Sequence, residues 1–285
     1  MKTRFYLGVC SALFAGLSYA AMGAIVKYMM MQGGSPGYLA IIFFQSLVAL
    51  LLISITNIGN LSSVVKTEVL PWHFLRAIFG FLMVSFAWIA VKHLSVATTV
   101  LLSNTAPFFI PIIAILFLKK SVNPLVWGVI LIGLVGVYLI DQPSHGFLTL
   151  PALVGLLSGV SFAALLTVSG KLVKTESVKT IIFYYFFFST IIAAIPMLFY
   201  WTPLSQTMLL WLIALGVLFY LLQAALNFGI QNTTVMLNGI LFYSCVVFGL
   251  LLDGLIWHSR VNTLGYVGIV VIMLSCFCAI KLEKR

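Results

Sequence analysis

Polar side chains are few in this chain, and several of them recur at helical spacing inside apolar segments. Tyr220, Gln223, Asn227 and Gln231 stand at i, i+3, i+7 and i+11, so a helix presents all four on one face. A phenol and three amides donate and accept hydrogen bonds, but they neither attack carbonyls nor carry protons at neutral pH. Their chemistry is recognition of a polar partner, or hydrogen bonding between helices. A second group, Ser103, Asn104 and Thr105, precedes Pro107 and Pro111, which lie one helical turn apart. Each proline lacks an N–H and frees the carbonyl four residues back, here those of Ser103 and Pro107. Free acceptors at membrane depth are tolerated only where protein or a water-filled cavity satisfies them. A kinked packing helix and a helix lining a polar path both meet that condition. Asn238, Tyr243 and Ser244 form a third group, and Ser11, Ser18 and Tyr19 a fourth.

Residue sets for reaction chemistry are missing. The sequence has no HExxH, no phosphate-binding glycine loop and no paired acids or histidine cluster within an apolar run. Cys10, Cys245, Cys276 and Cys278 fall inside apolar runs without metal-ligand spacing and read as buried thiols. No metal and no cofactor is expected. Glu68, Glu176, Glu283 and Asp141 stand at the edges of apolar runs. Asp253 lies about 18 residues into its run, roughly 27 Å at 1.5 Å per residue, near the far interface. Proton-coupled carriers bury an ionisable group near mid-depth, and none is expected there, which favours a facilitator or exchanger. His93 and His258 read as solvated interfacial residues.

The elements that position these groups follow from composition. With 63% hydrophobic and 7% charged residues and a mean hydropathy of +1.20, the chain is a multi-pass membrane protein in the lipid bilayer. The net charge of +10 comes from scattered single residues, so nucleic acid is not an expected partner. Ten apolar spans run approximately 5–26, 37–55, 72–91, 94–118, 124–140, 150–170, 178–199, 208–228, 233–252 and 261–280. Breakers separate them at Gly33-Gly34-Ser35-Pro36, Pro71, Asn123-Pro124, Gln142-Pro143 and Thr202-Pro203. Lys2, Arg4 and Ser18-Tyr19-Ala20 resemble a signal peptide, but the apolar run continues past that point and reads as a true span.

The chain repeats itself. Residues 8–27 align without gaps on residues 155–174, with Gly8/Gly155, Ser11/Ser158, Gly23/Gly170, Val26/Val173 and Lys27/Lys174 identical. Thr98-Thr99-Val100 and Thr233-Thr234-Val235 match in the same order. The expected fold is therefore all-α: two five-helix repeats, 1–148 and 149–285, inverted because each holds an odd number of spans. With both termini cytoplasmic, twelve basic residues fall inside (Lys2, Arg4, Lys66, Arg76, Lys119, Lys120, Lys171, Lys174, Lys179, Lys281, Lys284, Arg285). Only three fall outside, Lys27, Lys92 and Arg260, a bias of the expected sign. The repeat offset sets Ser85, Trp88 and Lys92 opposite Tyr220, Gln223 and Asn227, and Asn238 opposite Ser103. That points to a shared cavity. Gly155-x-x-x-Gly159 reads as close helix packing, and the run Phe183 to Phe188 as core or lipid-facing surface without chemistry.

The two five-span halves, Arg76 at the start of the third span, and A-T-T-V-L-L-S-N-T-A-P over residues 97–107 resemble the EamA-type drug/metabolite transporter (DMT) superfamily. The resemblance implies a ten-helix carrier of amino acids or other small metabolites with a central cavity between its halves. Some members from intracellular bacteria take up host metabolites such as S-adenosylmethionine, and spans three and four are similar to theirs. Two departures mark the halves as unequal. Lys119-Lys120 stands where the family commonly has an acid, and Phe242 is the counterpart of Pro107. The expected function is secondary transport of a small polar or amino-acid-like metabolite across the bacterial cytoplasmic (inner) membrane, by a monomer or homodimer. A membrane scaffold or assembly factor is the alternative. The expected substrate-binding residues are Tyr19, Trp88, Ser103, Asn104, Tyr220, Gln223, Asn227, Asn238 and Tyr243, with Pro107 and Pro111 as gating or kink positions.

Overall fold

Local capping chemistry starts many of the helices. The hydroxyls of Thr149, Ser177, Ser205 and Thr234 accept from the backbone N–H of the third residue on, and Asn123 accepts from Leu125 N–H. These bonds satisfy donors that have no partner inside the helix. A computed structural model describes residues 2–31, 37–94, 96–119, 121–142, 149–199, 204–258 and 262–283. The expected breakers around Gly33-Gly34-Ser35-Pro36, Pro143 and Thr202-Pro203 lie outside the described residues, as do Lys120, Arg260, Lys284 and Arg285.

Among the described residues there is no strand. The helices are α1 (Lys2–Met31), α2 (Tyr38–Thr56), the short α3 (Leu61–Val65), α4 (Leu70–Val91), α5 (Val96–Ser103), α6 (Ala106–Leu118) and α7 (Pro124–Asp141). They continue as α8 (Leu150–Leu172), α9 (Val178–Met197), α10 (Gln206–Asn232), α11 (Val235–Leu241), α12 (Ser244–Trp257) and α13 (Thr263–Glu283). Among the described residues nine segments are long and apolar enough to cross a membrane, and Pro124–Ile140 is a shorter apolar helix. Two of the nine, Thr98–Leu116 and Val235–Trp257, are each built from two helices in line.

The interruption of the first differs from the kink expected from its prolines. The helix ends at Ser103 and restarts at Ala106, which places Pro107 in the first turn of α6. There its missing N–H costs nothing, because no intrahelical acceptor exists for it. Thr105 turns its hydroxyl back onto the Leu102 carbonyl, and Phe108 N–H binds the Thr105 carbonyl at 2.9 Å. Of the two prolines of this span, Pro111 is the one that sits inside a helix. In the second half the break falls at Phe242–Tyr243, so the counterpart of Pro107 lies in the gap itself.

Helices pack in exchanged pairs. α1 lies against α10 as α4 lies against α8, and α1 meets α12 as α8 meets α6. α2 packs on α10 as α4 packs on α9, while α2 with α9 and α7 with α13 complete the set. Lipid supplies no hydrophobic force between helices, so close backbone approach carries the packing. A Cβ on Gly136 would stand 3.0 Å from the Gly268 carbonyl, and one on Gly268 would stand 2.7 Å from the Gly136 carbonyl. Gly155 and Gly159 are closed in the same way by Leu102, a packing role as expected. Cys245 and Cys276 are buried, whereas Cys10 is exposed, because α1 turns that face outward.

Candidate functional site

Arg76 organises the interior. It stands six residues into α4, about 9 Å along the axis from its start, and has no exposed surface. α8 brings Ser169, whose Oγ accepts from Nε at 2.7 Å while donating to the Leu165 carbonyl. α10 brings Gln223, whose Oε1 accepts from Nη2 at 2.7 Å. α9 lays the Tyr185 ring 4.3 Å from the guanidinium carbon. Gly80, one turn further along α4, makes room for that ring: a Cβ there would stand 2.5 Å from the Tyr185 hydroxyl oxygen. Every group around the guanidinium is neutral. The ion pair among the described residues joins Lys27 and Asp253, at the other end of the molecule from Arg76.

Around this cation several polar atoms are buried without a partner. Nη1 of Arg76 is one, and both ring nitrogens of His73 are others. His73 precedes Arg76 by three residues, shares its helix face, and packs on Tyr184 with ring centroids 4.8 Å apart and the rings tilted by 35°. Asn227, one turn beyond Gln223, donates to the Gln223 carbonyl at 2.7 Å and leaves its Oδ1 unpaired. Arg76 is therefore an interior residue, contrary to its place in the charge tally. His73 and Arg76 are both fully buried, within the first two turns of α4. The signal was legible: a histidine and an arginine three apart inside an apolar run, opposite two tyrosines within the run Phe183 to Phe188. Those tyrosines, given no chemistry above, form the platform.

The other expected site residues divide among several places. Gln223 and Asn227 belong to the Arg76 cluster, and Tyr220 lies one turn away, its ring centroid 6.4 Å from that of Phe186. Trp88 is twelve residues past Arg76 on α4, about 18 Å along the axis. It stacks on Tyr38 at 5.6 Å and packs with Met29, Ile41, Leu212 and Leu215. Trp88 and Gln223 thus occupy different levels. Ser103 shares a hydrogen bond with Ser158 at 3.1 Å, and Ser158 donates on to the Met83 carbonyl. Asn104 donates to the Val100 carbonyl, with Cys245 Sγ 3.8 Å from its Oδ1. Asn238 binds Thr233 and Thr234 and leaves Oδ1 unpaired. Tyr243 is fully buried, with its hydroxyl 3.5 Å from the Ile130 carbonyl. Tyr19 is partly exposed and packs on Phe242 at 5.3 Å, which in turn meets Phe162 at 5.1 Å.

At the far end Lys27 of α1 reaches Asp253 of α12 at 2.7 Å and lies 4.2 Å from the Trp257 ring centroid. A cavity of about 230 Å³ opens between α7, α11 and α13, lined by Ser121, Asn123, Met236 and Glu283 among others. It touches none of the Arg76 cluster. Among the described residues no three His, Cys, Asp or Glu side chains come together as a metal site would require.

The arrangement is similar to known proteins. The EamA-like transporter family matches residues 6–141 and again residues 149–281. The pseudopaline exporter CntI of Pseudomonas aeruginosa is 25% identical over 280 residues, covering 97% of each chain. A riboflavin transporter of Rhizobium johnstonii is 27% identical over 181 residues, 63% of this chain and 59% of its own. A solved crystal structure superposes with a TM-score of 0.81 over 100% of this chain and 99% of the other, at 16% identity, a likeness of fold.

Proposed function

Because the chain belongs to the EamA-like transporter family, we propose that it is a ten-span carrier of a small polar or amino-acid-like metabolite, working by alternating access. Its two halves, residues 1–148 and 149–285, act as inverted five-helix repeats in a bacterial cytoplasmic membrane, with both termini cytoplasmic. The observation that carries this reading is the exchange of packing partners, since each contact between α1, α2 or α4 and the second half has its counterpart with the halves swapped. Two units so related can rock about their shared interface and open a central path to either side. The two family matches, on either side of residues 142–148, support the same division.

The path runs along α10, where Tyr220, Gln223 and Asn227 supply hydrogen-bond donors and acceptors, and past the two interrupted spans, where Ser103, Asn104, Asn238 and Tyr243 supply others. Tyr19 and Trp88 supply flat apolar surface at other levels, and Pro107 and Pro111 border the interruption at which the fourth span bends. The carboxylates support a facilitator or exchanger. Glu68 is exposed, Glu176 accepts from Thr67, Asp253 pairs with Lys27, and Glu283 closes the end of α13. The test is uptake by proteoliposomes containing the purified protein, with counterflow of preloaded metabolite. Accumulation should follow the preloaded compound and ignore an imposed pH gradient. Uptake driven by the pH gradient would replace exchange with proton coupling, and no uptake of any metabolite would overturn the carrier reading.

A further inference from the structure

The cation at the centre of the site has no anion of its own. Arg76 is fully buried, and its guanidinium carries five N–H donors. One is satisfied by Ser169 and one by Gln223, both neutral acceptors, while Nη1 has no partner. A Tyr185 ring face adds attraction without adding charge. Leaving a charge buried without its opposite is strongly unfavourable, so such cations normally sit beside a carboxylate. Among the described residues none supplies one. The same layer leaves Oδ1 of Asn227 and both nitrogens of His73 unpaired as well. Three polar side chains, two on α4 and one on α10, are thus held in place with bonding capacity unused. The free end of an arginine fork matches a planar two-oxygen acceptor, the geometry of a carboxylate.

The rim agrees with this chemistry. Lys171 and Lys174, at the end of α8, stand just beyond Ser169, and Lys171 lies 3.4 Å from the Trp72 ring centroid on the first turn of α4. Lys179, at the start of α9, and Lys66, just after α3, complete an exposed set of cations at this end of the helices that hold Arg76. Glu68 and Glu176 stand among these four lysines, which leaves an excess of two positive charges at this end, and such an excess raises the local concentration of anions.

The geometry points to Arg76 as the receptor for a carboxylate group on the transported metabolite, with Gln223, Asn227 and His73 completing its shell. This assignment rests on the carrier reading above and adds the substrate class, organic acids and amino acids with a free carboxylate. In the conformation described, α4, α8, α9 and α10 close over Arg76, so the acid enters and leaves in states where these helices part. The resident amide of Gln223 holds the guanidinium in the meantime. Histidine and asparagine then read the part of the metabolite next to the carboxylate.

The test uses the purified full chain and two matched probe sets: the twenty proteinogenic L-amino acids, succinate and citrate, and the methyl esters of the same compounds. At least one free acid should raise the melting temperature of the wild type, and its ester should not. Arg76→Gln should weaken binding of that acid by about 10- to 150-fold, the equivalent of a charge-assisted hydrogen bond. The second variant, Gln223→Glu, keeps the shape and places a resident carboxylate on Nη2. It should melt higher than the wild type and lose binding of the acid. If Arg76 were only a structural clip, Gln223→Glu would melt higher and bind as before, which overturns the proposal. Equal binding of acid and ester, or no binding by any free acid, overturns it also. An acid that binds through Arg76 but is not carried into proteoliposomes supports the anion site and refutes the carrier reading instead.

Discussion

A methyl group at position 80 should damage this protein, although glycine-to-alanine changes inside helices ordinarily stabilise. Added at Gly80, a Cβ would stand 2.5 Å from the Tyr185 hydroxyl oxygen and 2.7 Å from Cε2. Ordinary van der Waals contact begins at 3.4 Å, so the ring must withdraw by the difference, 0.7 to 0.9 Å. Tyr185 has little freedom to do so. It is 5% exposed, its ring centroid lies 5.8 Å from that of Phe219, and its face holds Arg76. Overpacking of this kind costs about 1–3 kcal/mol. Loosening a desolvated cation–π contact adds up to about 2 kcal/mol. The gain in helix propensity returns only about 0.5–1 kcal/mol. The expected net loss is thus about 2 kcal/mol, the middle of a range of about 0 to 4.5 kcal/mol from these terms taken together. Gly23 in α1 is the control, because it is exposed and a Cβ there meets nothing within 4 Å. Gly23→Ala should stabilise by about 0.5–1 kcal/mol. Thermal unfolding in detergent compares the two, and Tyr185→Phe added to Gly80→Ala should recover part of the loss by removing the nearest atom. Should Gly80→Ala melt as high as Gly23→Ala, the tight fit of Tyr185 over Arg76 is not what holds this layer.

Three further outcomes follow from the same structure. Gln223→Ala strips Arg76 of one of its two acceptors and should raise the apparent substrate dissociation constant by about 5- to 150-fold, from the 1–3 kcal/mol of a buried unpaired donor. Phe187→Leu, at a side chain 37% exposed, should do far less; if it proves the more damaging in uptake at matched expression, the α10 stripe is a packing seam. Asp253→Asn should cost no more than about 1 kcal/mol and lose its effect in high salt, because both partners of the pair with Lys27 are more than a third exposed. A loss above about 3 kcal/mol in thermal unfolding would instead mark a desolvated pair. Cysteines placed singly at Ser205 should be labelled from outside intact cells, and those at Ser63, Ser121 and Ser177 should not. Labelling of the second group would sink the proposed topology.

The helices of this protein were legible without its coordinates, and the physical reason is locality. In lipid each span must satisfy its own backbone and present apolar side chains, so hydropathy, prolines and capping residues mark helices one at a time. Thr149, Ser177, Ser205 and Thr234 begin helices for reasons contained within a few residues of each. The side-chain cluster was not local in that sense. Arg76 reads as a cation at the cytoplasmic start of the third span while its neighbours are known only in sequence, since a lone charge in lipid is expensive. It becomes an interior group only when α8, α9 and α10 turn Ser169, Tyr185 and Gln223 toward it. The repeat misled for a related reason. It set Trp88 opposite Gln223, but Trp88 lies about 18 Å along α4 from Arg76, to which Gln223 is hydrogen-bonded, so the two do not share one level. Gly23 and Gly170 make the same point, being identical in the alignment. The first faces open space, while a Cβ on the second would collide with Val235. Sequence identity fixes what a position is made of, and the rotation and pairing of whole helices decide what it touches.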